Sequence, residues 1–307
     1  MIMVSMTSKK NVIKGFLGLI RPFTLLAPFI VSSSIMIASF VYMHGSDLFI
    51  EAFFFQILPA SLSFVFLNAA SNTLNQATDV QADSISKPYR PIPLGRISQK
   101  AAFRIAFVFY MFSFVLGSFI HPILLLFLLC ITFFTITYSM YPRMKDRLWF
   151  NQVWIGIPRG FLGILGSWSV FSSIFDPIPF IIACIAGLFL FGGSITKDIS
   201  DKDADKVVGT QTLVIRYGEK KAACIVLPFL FFPFILIPVF INLGFLPVNF
   251  WFLTFLAIPA FFVFKSMIGI QSKRFHLENT VAWSFMYITY FIFALTFSLL
   301  TVAGAIL

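Results

Sequence analysis

The sequence predicts an all-α integral membrane protein, with nine transmembrane helices in two pseudo-repeated four-helix halves around a central cavity. Three observations predict it. Apolar residues make up 59% of the 307 residues and charged ones only 11%, a balance outside the soluble range. Apolar runs of roughly 20 residues, enough to span a bilayer as helices, recur along the whole chain. Two polar stripes with helical spacing sit at the same end of two of these runs.

The expected spans are 17–43, 52–79, 101–119, 122–141, 150–172, 178–197, 222–242, 247–270 and 280–306. Residues 1–16 are polar enough to form an interfacial lead-in, and 17–307 form one membrane domain whose pseudo-repeats cover about 17–141 and 150–270. Lys9, Lys10 and Lys14 run straight into the first span without a small-residue cleavage pattern, so no cleavable signal peptide is expected.

A net charge of +10 would point to nucleic acid in a soluble protein. Here its placement gives it another meaning. Of 22 Lys and Arg residues, 21 lie in the N-terminus or in the second, fourth, sixth and eighth connections, all on one side of a nine-span bundle. The opposite loops hold Asp47, Glu51 and Asp176. Positive-inside bias then puts the N-terminus and the charged connections in the cytoplasm and the C-terminus outside. The expected partners are membrane lipid and lipophilic substrates, with no nucleic acid and no obligate protein partner evident. Cys130, Cys184 and Cys224 sit in apolar runs without paired spacing and read as small buried apolar residues.

The second span ends in the first stripe. Asn68, Asn72, Asn75, Asp79 and Asp83 are spaced four, three, four and four apart, which places them within roughly 80° of one another on a helix. Hydrocarbon cannot face such a stripe, so it must line an internal cavity, closed by the basic turn Lys87-Pro88-Tyr89-Arg90-Pro91. Two carboxylates four residues apart repel each other unless a cation lies between them, and hard oxygen ligands at that spacing suit Mg²⁺. A lone pair of this kind also fits a solvated helix end; the asparagines upstream and the cations downstream favour the site.

The sixth span repeats the pattern. Ser194, Asp198, Asp201 and Asp205 share a face, while Asp203 points the opposite way and reads as solvated. Each stripe is followed by a basic, Gly-containing connection, and Asp79 and Asp198 are 119 positions apart. That is the signature of two parallel repeats facing one another across a shared cavity. Four other positions bear on it. Arg21, before Pro22, is either an interfacial anchor or a contact for a phosphate at the cavity mouth. Tyr138 either anchors at the interface or faces the cavity, and Arg143 and Lys145 form a second basic turn beside it. Arg159, about ten residues into the fifth span, is costly in hydrocarbon and is expected to meet an anion inside the protein. Lys273, Arg274, His276 and Glu278 make a short charged loop with a solvated histidine.

Two facing carboxylate clusters, each binding Mg²⁺ and ringed by Lys and Arg, constitute a diphosphate site. Beyond it the cavity is expected to be apolar and aromatic, as 43 Phe, 8 Tyr and 5 Trp permit, and able to hold a tail and to stabilise an allylic cation. A diphosphate head with a long apolar tail describes an isoprenyl diphosphate.

The pattern Asn75-x-x-x-Asp79-x-x-x-Asp83 before KPYRPI, and Asp198-x-x-Asp201-x-x-x-Asp205 before Gly209 and TLVIRYG, resembles the two aspartate-rich motifs of the UbiA superfamily of intramembrane prenyltransferases. The likeness runs end to end and includes the turn from Thr137 to Lys145. It implies Mg²⁺-dependent transfer of a prenyl group from its diphosphate to a lipophilic acceptor. By matching position it implies metal binding by Asn75, Asp79, Asp83, Asp198, Asp201 and Asp205, with Arg21, Lys87, Arg90, Tyr138 and Lys145 near the diphosphate. No general base stands out, which suits attack by an electron-rich acceptor on a cation. Arg159 pairs with either an acceptor carboxylate or an acceptor phosphate. An aromatic, quinone-type acceptor is expected first, with geranylgeranylglyceryl phosphate of archaeal lipid synthesis as the alternative. A secondary transporter is the competing class, although transporters place their sites near the midplane rather than at span ends.

Overall fold

The computed structural model describes residues 2–45, 47–269 and 280–306, and every regular element among them is helical. The lead-in is itself a helix, α1 (Ile2–Ile20), which stops at Arg21 in a left-handed conformation, φ 53°. Pro22 then opens α2 (Pro22–His44), its missing N–H costing nothing in a first turn. The first acidic stripe ends α3 (Phe49–Thr78) and continues after a break at Asp79 into the short α4 (Val80–Ser86). Next come α5 (Gln99–Ile120) and α6 (Pro122–Ser139), started by Ser98 and His121 side chains that accept from Ala101 N at 3.2 Å and Ile123 N at 3.2 Å.

The run α7 comprises Leu148–Ile155, a π-helical segment Gly156–Leu162, and Gly163–Trp168. The helices α8 (Pro177–Gly193) and α9 (Ile195–Val208) follow as one 32-residue rod that carries the second stripe. Gly209 ends it at φ 81°, the left-handed turn that a side chain would resist. The chain closes with α10 (Leu213–Tyr217), α11 (Glu219–Asn242), α12 (Val248–Gly269) and α13 (Val281–Ile306).

Among the described residues eight helices are long and apolar enough to cross a membrane, against nine expected. The difference is the fifth expected span. It exists as α7, but Asn151, Gln152 and Arg159 give it a polar side that hydrocarbon would not select. The loop of Lys273, Arg274, His276 and Glu278 lies outside the described residues.

Two large apolar cores hold most of the bundle, with minor clusters around Leu19 and Phe40. The larger joins α2, the end of α7, α8, α11, α12 and α13 through residues such as Ile35, Trp168, Ile182, Leu230, Val263 and Phe293. The smaller joins α3, α5 and α6 through Leu67, Ala106 and Leu128. Outer faces carry exposed Phe55, Phe119 and Phe252, as a bundle solvated by lipid requires. This corrects the expectation for the cysteines: Cys130 and Cys224 are exposed and Cys184 is half-buried, because lipid rather than protein supplies their apolar surroundings.

One close crossing positions the centre of α7. A Cβ on Gly160 would lie 2.5 Å from both Cα and N of Gly187, and one on Gly156 would lie 2.7 Å from the Gly187 carbonyl oxygen. Bare glycine surfaces thus let α7 press onto α8.

Candidate active site

The two acidic stripes face each other. Asn75, Asp79 and Asp83 from the first half and Asp198, Asp201 and Asp205 from the second line one chamber, together with Lys87, Arg90, Tyr138, Arg143 and Lys145. One of its ion pairs joins the two stripes directly. Lys87 Nζ reaches Asp201 Oδ1 at 2.5 Å, so the turn after the first stripe is tied to the second. Arg90 Nη1 donates to both oxygens of Asp83, at 2.8 and 2.7 Å. Lys145 donates to Asp79 and, at 3.2 Å, to Asn75 Oδ1, and Arg143 Nη2 lies 3.3 Å from Asp79.

These pairs set the carboxylates apart. Burial pushes Asp79 up, but Lys145, Lys197 and Arg143 outweigh it and hold the group below its ordinary value. At Asp83 burial prevails over Arg90 and the group is raised. Asp198 is held differently: Asn151 Nδ2 donates to both its oxygens at 3.0 and 2.9 Å, and Gln152 Nε2 to one at 3.1 Å. Asn151 Oδ1 in turn accepts from the Tyr138 hydroxyl at 3.1 Å, which settles Tyr138 as a cavity residue.

A second chamber adjoins the first and is lined by Arg21, Asn72, Lys87, Arg90, Arg159 and Lys197 among others. A third, mostly apolar, lies beyond, walled by Val31, Phe64, Leu67, Ile131, Leu190, Met286 and Tyr290. Asn68 and Asn72 line these two chambers rather than the acidic one, and their amides are engaged in bracing the backbone at Arg21. Asn72 Nδ2 donates to Ile20 O at 3.1 Å and to Thr24 Oγ1 at 2.8 Å, and Asn68 Nδ2 donates to Thr24 O at 3.2 Å. Arg159 is likewise separated from the acids, and its carbonyl accepts from the Tyr290 hydroxyl at 3.0 Å.

Four residues escaped the sequence reading. Asn151 and Gln152 were passed over as the polar start of a span, although Gln152 and Arg159, seven apart, share a helix face and signal a polar side. Lys197, at the end of the sixth expected span, carries no sequence signal beyond topology, yet it lines all three chambers. Asp146 had no pattern to mark it; it accepts from Arg143 Nε at 2.7 Å and from Thr210 Oγ1 at 3.2 Å, joining the turns that follow α6 and α9. Asp203 is exposed, as its face predicts.

The donor set fits Mg²⁺. Among the described residues no three His, Cys, Asp or Glu side chains converge into a ready-made metal cage. The chamber offers Asp and Asn side-chain oxygens, hard donors of the kind Mg²⁺ takes together with phosphate oxygens and water.

Eight helices long and apolar enough to cross a membrane among the described residues, gathered around one acidic chamber, make this an integral membrane protein. The chain belongs to the UbiA prenyltransferase family, whose model matches residues 26–287. It is 32% identical over 184 residues to a digeranylgeranylglyceryl phosphate synthase of Pyrococcus horikoshii, a match covering 59% of this chain and 65% of that one. The enzyme of the same description from Pyrococcus furiosus is 28% identical over 240 residues, covering 77% and 82%. The fold matches a UbiA homologue from Archaeoglobus fulgidus solved with DMAPP and Mg²⁺, at TM-score 0.71 and 18% identity over 95% of this chain and 99% of that one.

Proposed function

We propose that this protein transfers a prenyl group from an isoprenyl diphosphate to a glyceryl phosphate ether lipid of the geranylgeranylglyceryl phosphate type. The observation that carries the transferase reading is the shared chamber: acidic helix ends from two halves, about 17–141 and 150–270, ringed by five cations, with a cationic chamber between it and an apolar one. The acceptor follows the relatives' description, which favours the glyceryl phosphate over the aromatic quinone-type precursor expected first. The secondary-transporter reading gains nothing from a site at helix ends beside basic turns.

In this reading Asp79, Asp83, Asp198, Asp201 and Asp205, with Asn75, hold Mg²⁺, which when bound neutralises the diphosphate as a leaving group. Lys87, Arg90, Arg143 and Lys145 exchange their carboxylate partners for diphosphate oxygens. Tyr138 stays fixed by Asn151 at the chamber wall. The prenyl C–O bond breaks, the acceptor oxygen forms the new C–O bond, and its proton leaves with diphosphate or to water. In the same reading the acidic chamber faces the cytoplasm, which the positive-inside bias of the Lys- and Arg-rich connections supports. The test is Asp79→Ala in purified protein supplied with geranylgeranyl diphosphate and Mg²⁺. Diphosphate release should vanish, and release at the wild-type rate overturns the assignment.

A further inference from the structure

The second chamber differs from the first in charge. Arg21, Lys87, Arg90, Arg159 and Lys197 line it, and among the described residues no Asp or Glu does. Lys87 and Arg90 also border the acidic chamber and are neutralised there by Asp201 and Asp83. Arg159 and Lys197 are different: among the described residues neither side chain makes a hydrogen bond or ion pair, although both border the chamber. Arg159 is exposed to it from the π-helical segment Gly156–Leu162, whose backbone is pinned by Tyr290 and by the Gly160–Gly187 crossing. Lys197 has the acidic chamber's carboxylates on one side only, and Arg159 is separated from them, so a cationic chamber of this kind inside a membrane protein is costly unless an anion arrives with the ligand.

We infer that this chamber is a second phosphate site, distinct from the diphosphate site, in which Arg159 and Lys197 grip the phosphate monoester head of the acceptor. The inference rests on the glyceryl phosphate reading and specifies where that phosphate goes. Charge selects phosphate over carboxylate: a monoester carries about −1.5 to −2 near neutral pH, against −1 for an aromatic acid, and two bordering cations match the former. Shape agrees, because a guanidinium fork meets two phosphate oxygens at once.

The route for the rest of the molecule is also present. Arg159, Lys197, Trp283 and Tyr287 border both this chamber and the apolar one, and the Trp283 and Tyr287 rings stack with centroids 3.8 Å apart. A head in the cationic chamber can therefore continue into a tail along that aromatic wall. Lys197, which also borders the acidic chamber, lies where acceptor head and donor diphosphate come closest. The donor head is drawn to the first chamber because the carboxylates that would share its Mg²⁺ line that one.

The experiment uses the full chain in detergent and two readouts. The first is inorganic phosphate binding by calorimetry with no Mg²⁺ and no donor, where the acidic chamber repels anions. Arg159→Gln and Lys197→Gln should each weaken it on the order of 10-fold or more, as loss of one charge-assisted contact implies, while Asp79→Asn should not weaken it. The second is turnover of geranylgeranylglyceryl phosphate against its dephosphorylated glycerol ether. Wild type should prefer the phosphate, and Arg159→Gln should raise the KM for it on the order of 10- to 100-fold, change the donor KM less than about threefold and collapse the preference, with Arg159→Lys recovering part of it.

Phosphate binding and acceptor preference that both ignore Arg159 overturn the second site. So does an equal loss on both acceptors, which marks a packing role only. Phosphate binding that depends on Arg159 in a protein unable to prenylate either acceptor leaves the site standing and removes the glyceryl phosphate reading instead. Turnover of the phosphate acceptor with full indifference to Arg159 does the reverse.

Discussion

Replacing Asn151 by leucine isolates the support of one acidic residue without touching any carboxylate. Asn151 is 2% exposed, donates to both oxygens of Asp198 and accepts from Tyr138. Leucine keeps the same branched skeleton, with bulkier methyl groups in place of the amide atoms, but has neither donor nor acceptor. Asp198, itself 6% exposed, keeps only the Gln152 contact at 3.1 Å. A hydrogen bond to a buried charged group is worth ~1.5–3 kcal/mol, and an orphaned Tyr138 hydroxyl adds ~1 kcal/mol. If Asp198 helps hold Mg²⁺, losing a supporting partner of this kind costs about 10- to 100-fold in metal affinity or activity. The assay is diphosphate release from geranylgeranyl diphosphate across a Mg²⁺ titration. Half-saturation should move to higher Mg²⁺ by that factor, with turnover largely recovered at saturating metal, because the carboxylate is misoriented rather than absent. An unchanged Mg²⁺ dependence refutes the reasoning: either Asp198 binds no metal, or its orientation does not depend on Asn151.

Three further outcomes are expected. Gly160→Ala inserts a methyl 2.5 Å from the Gly187 backbone, so α7 and α8 must separate at a cost of ~1–3 kcal/mol, whereas Gly163→Ala meets only Pro158 O at 3.5 Å; thermal unfolding in detergent should fall for the first and hold for the second. Asp146→Ala releases Arg143 and Thr210, and the donor KM should rise roughly 3- to 10-fold with turnover retained, since Asp146 borders the site without touching Asn75 or Asp198; a KM within error of wild type shows that the tie between the two turns is idle. Chelation should stop diphosphate release yet leave the unfolding temperature within ~2 °C, because Lys87, Arg90 and Lys145 already compensate Asp201, Asp83 and Asp79 without metal; unfolding on chelation would instead reveal a structural ion.

Periodicity and charge placement made the membrane bundle and both acidic stripes legible in one dimension. Hydrocarbon penalises polar groups so heavily that a row of Asn and Asp on a helix leaves only an inward orientation, and Asp79, Asp83, Asp198, Asp201 and Asp205 do meet in one chamber. The fifth expected span exists as α7, although Asn151, Gln152 and Arg159 keep it out of the eight helices apolar enough to cross a membrane among the described residues. Periodicity placed Asn68 and Asn72 in the cavity without showing that their amides brace the turn at Arg21.

Local pattern, in short range, decided which residues had to be hidden from lipid. Which of them meet depended on contacts spanning the chain. Lys87 against Asp201 is a separation of 114 residues, Lys145 against Asp79 of 66 and Asn151 against Asp198 of 47. No helical period records such pairings, since they arise only when distant parts of the chain pack together and buried charges must find partners. The division into an acidic chamber and an acid-free cationic one has the same origin: the sequence holds all the charges, and packing alone sorts them into separate rooms.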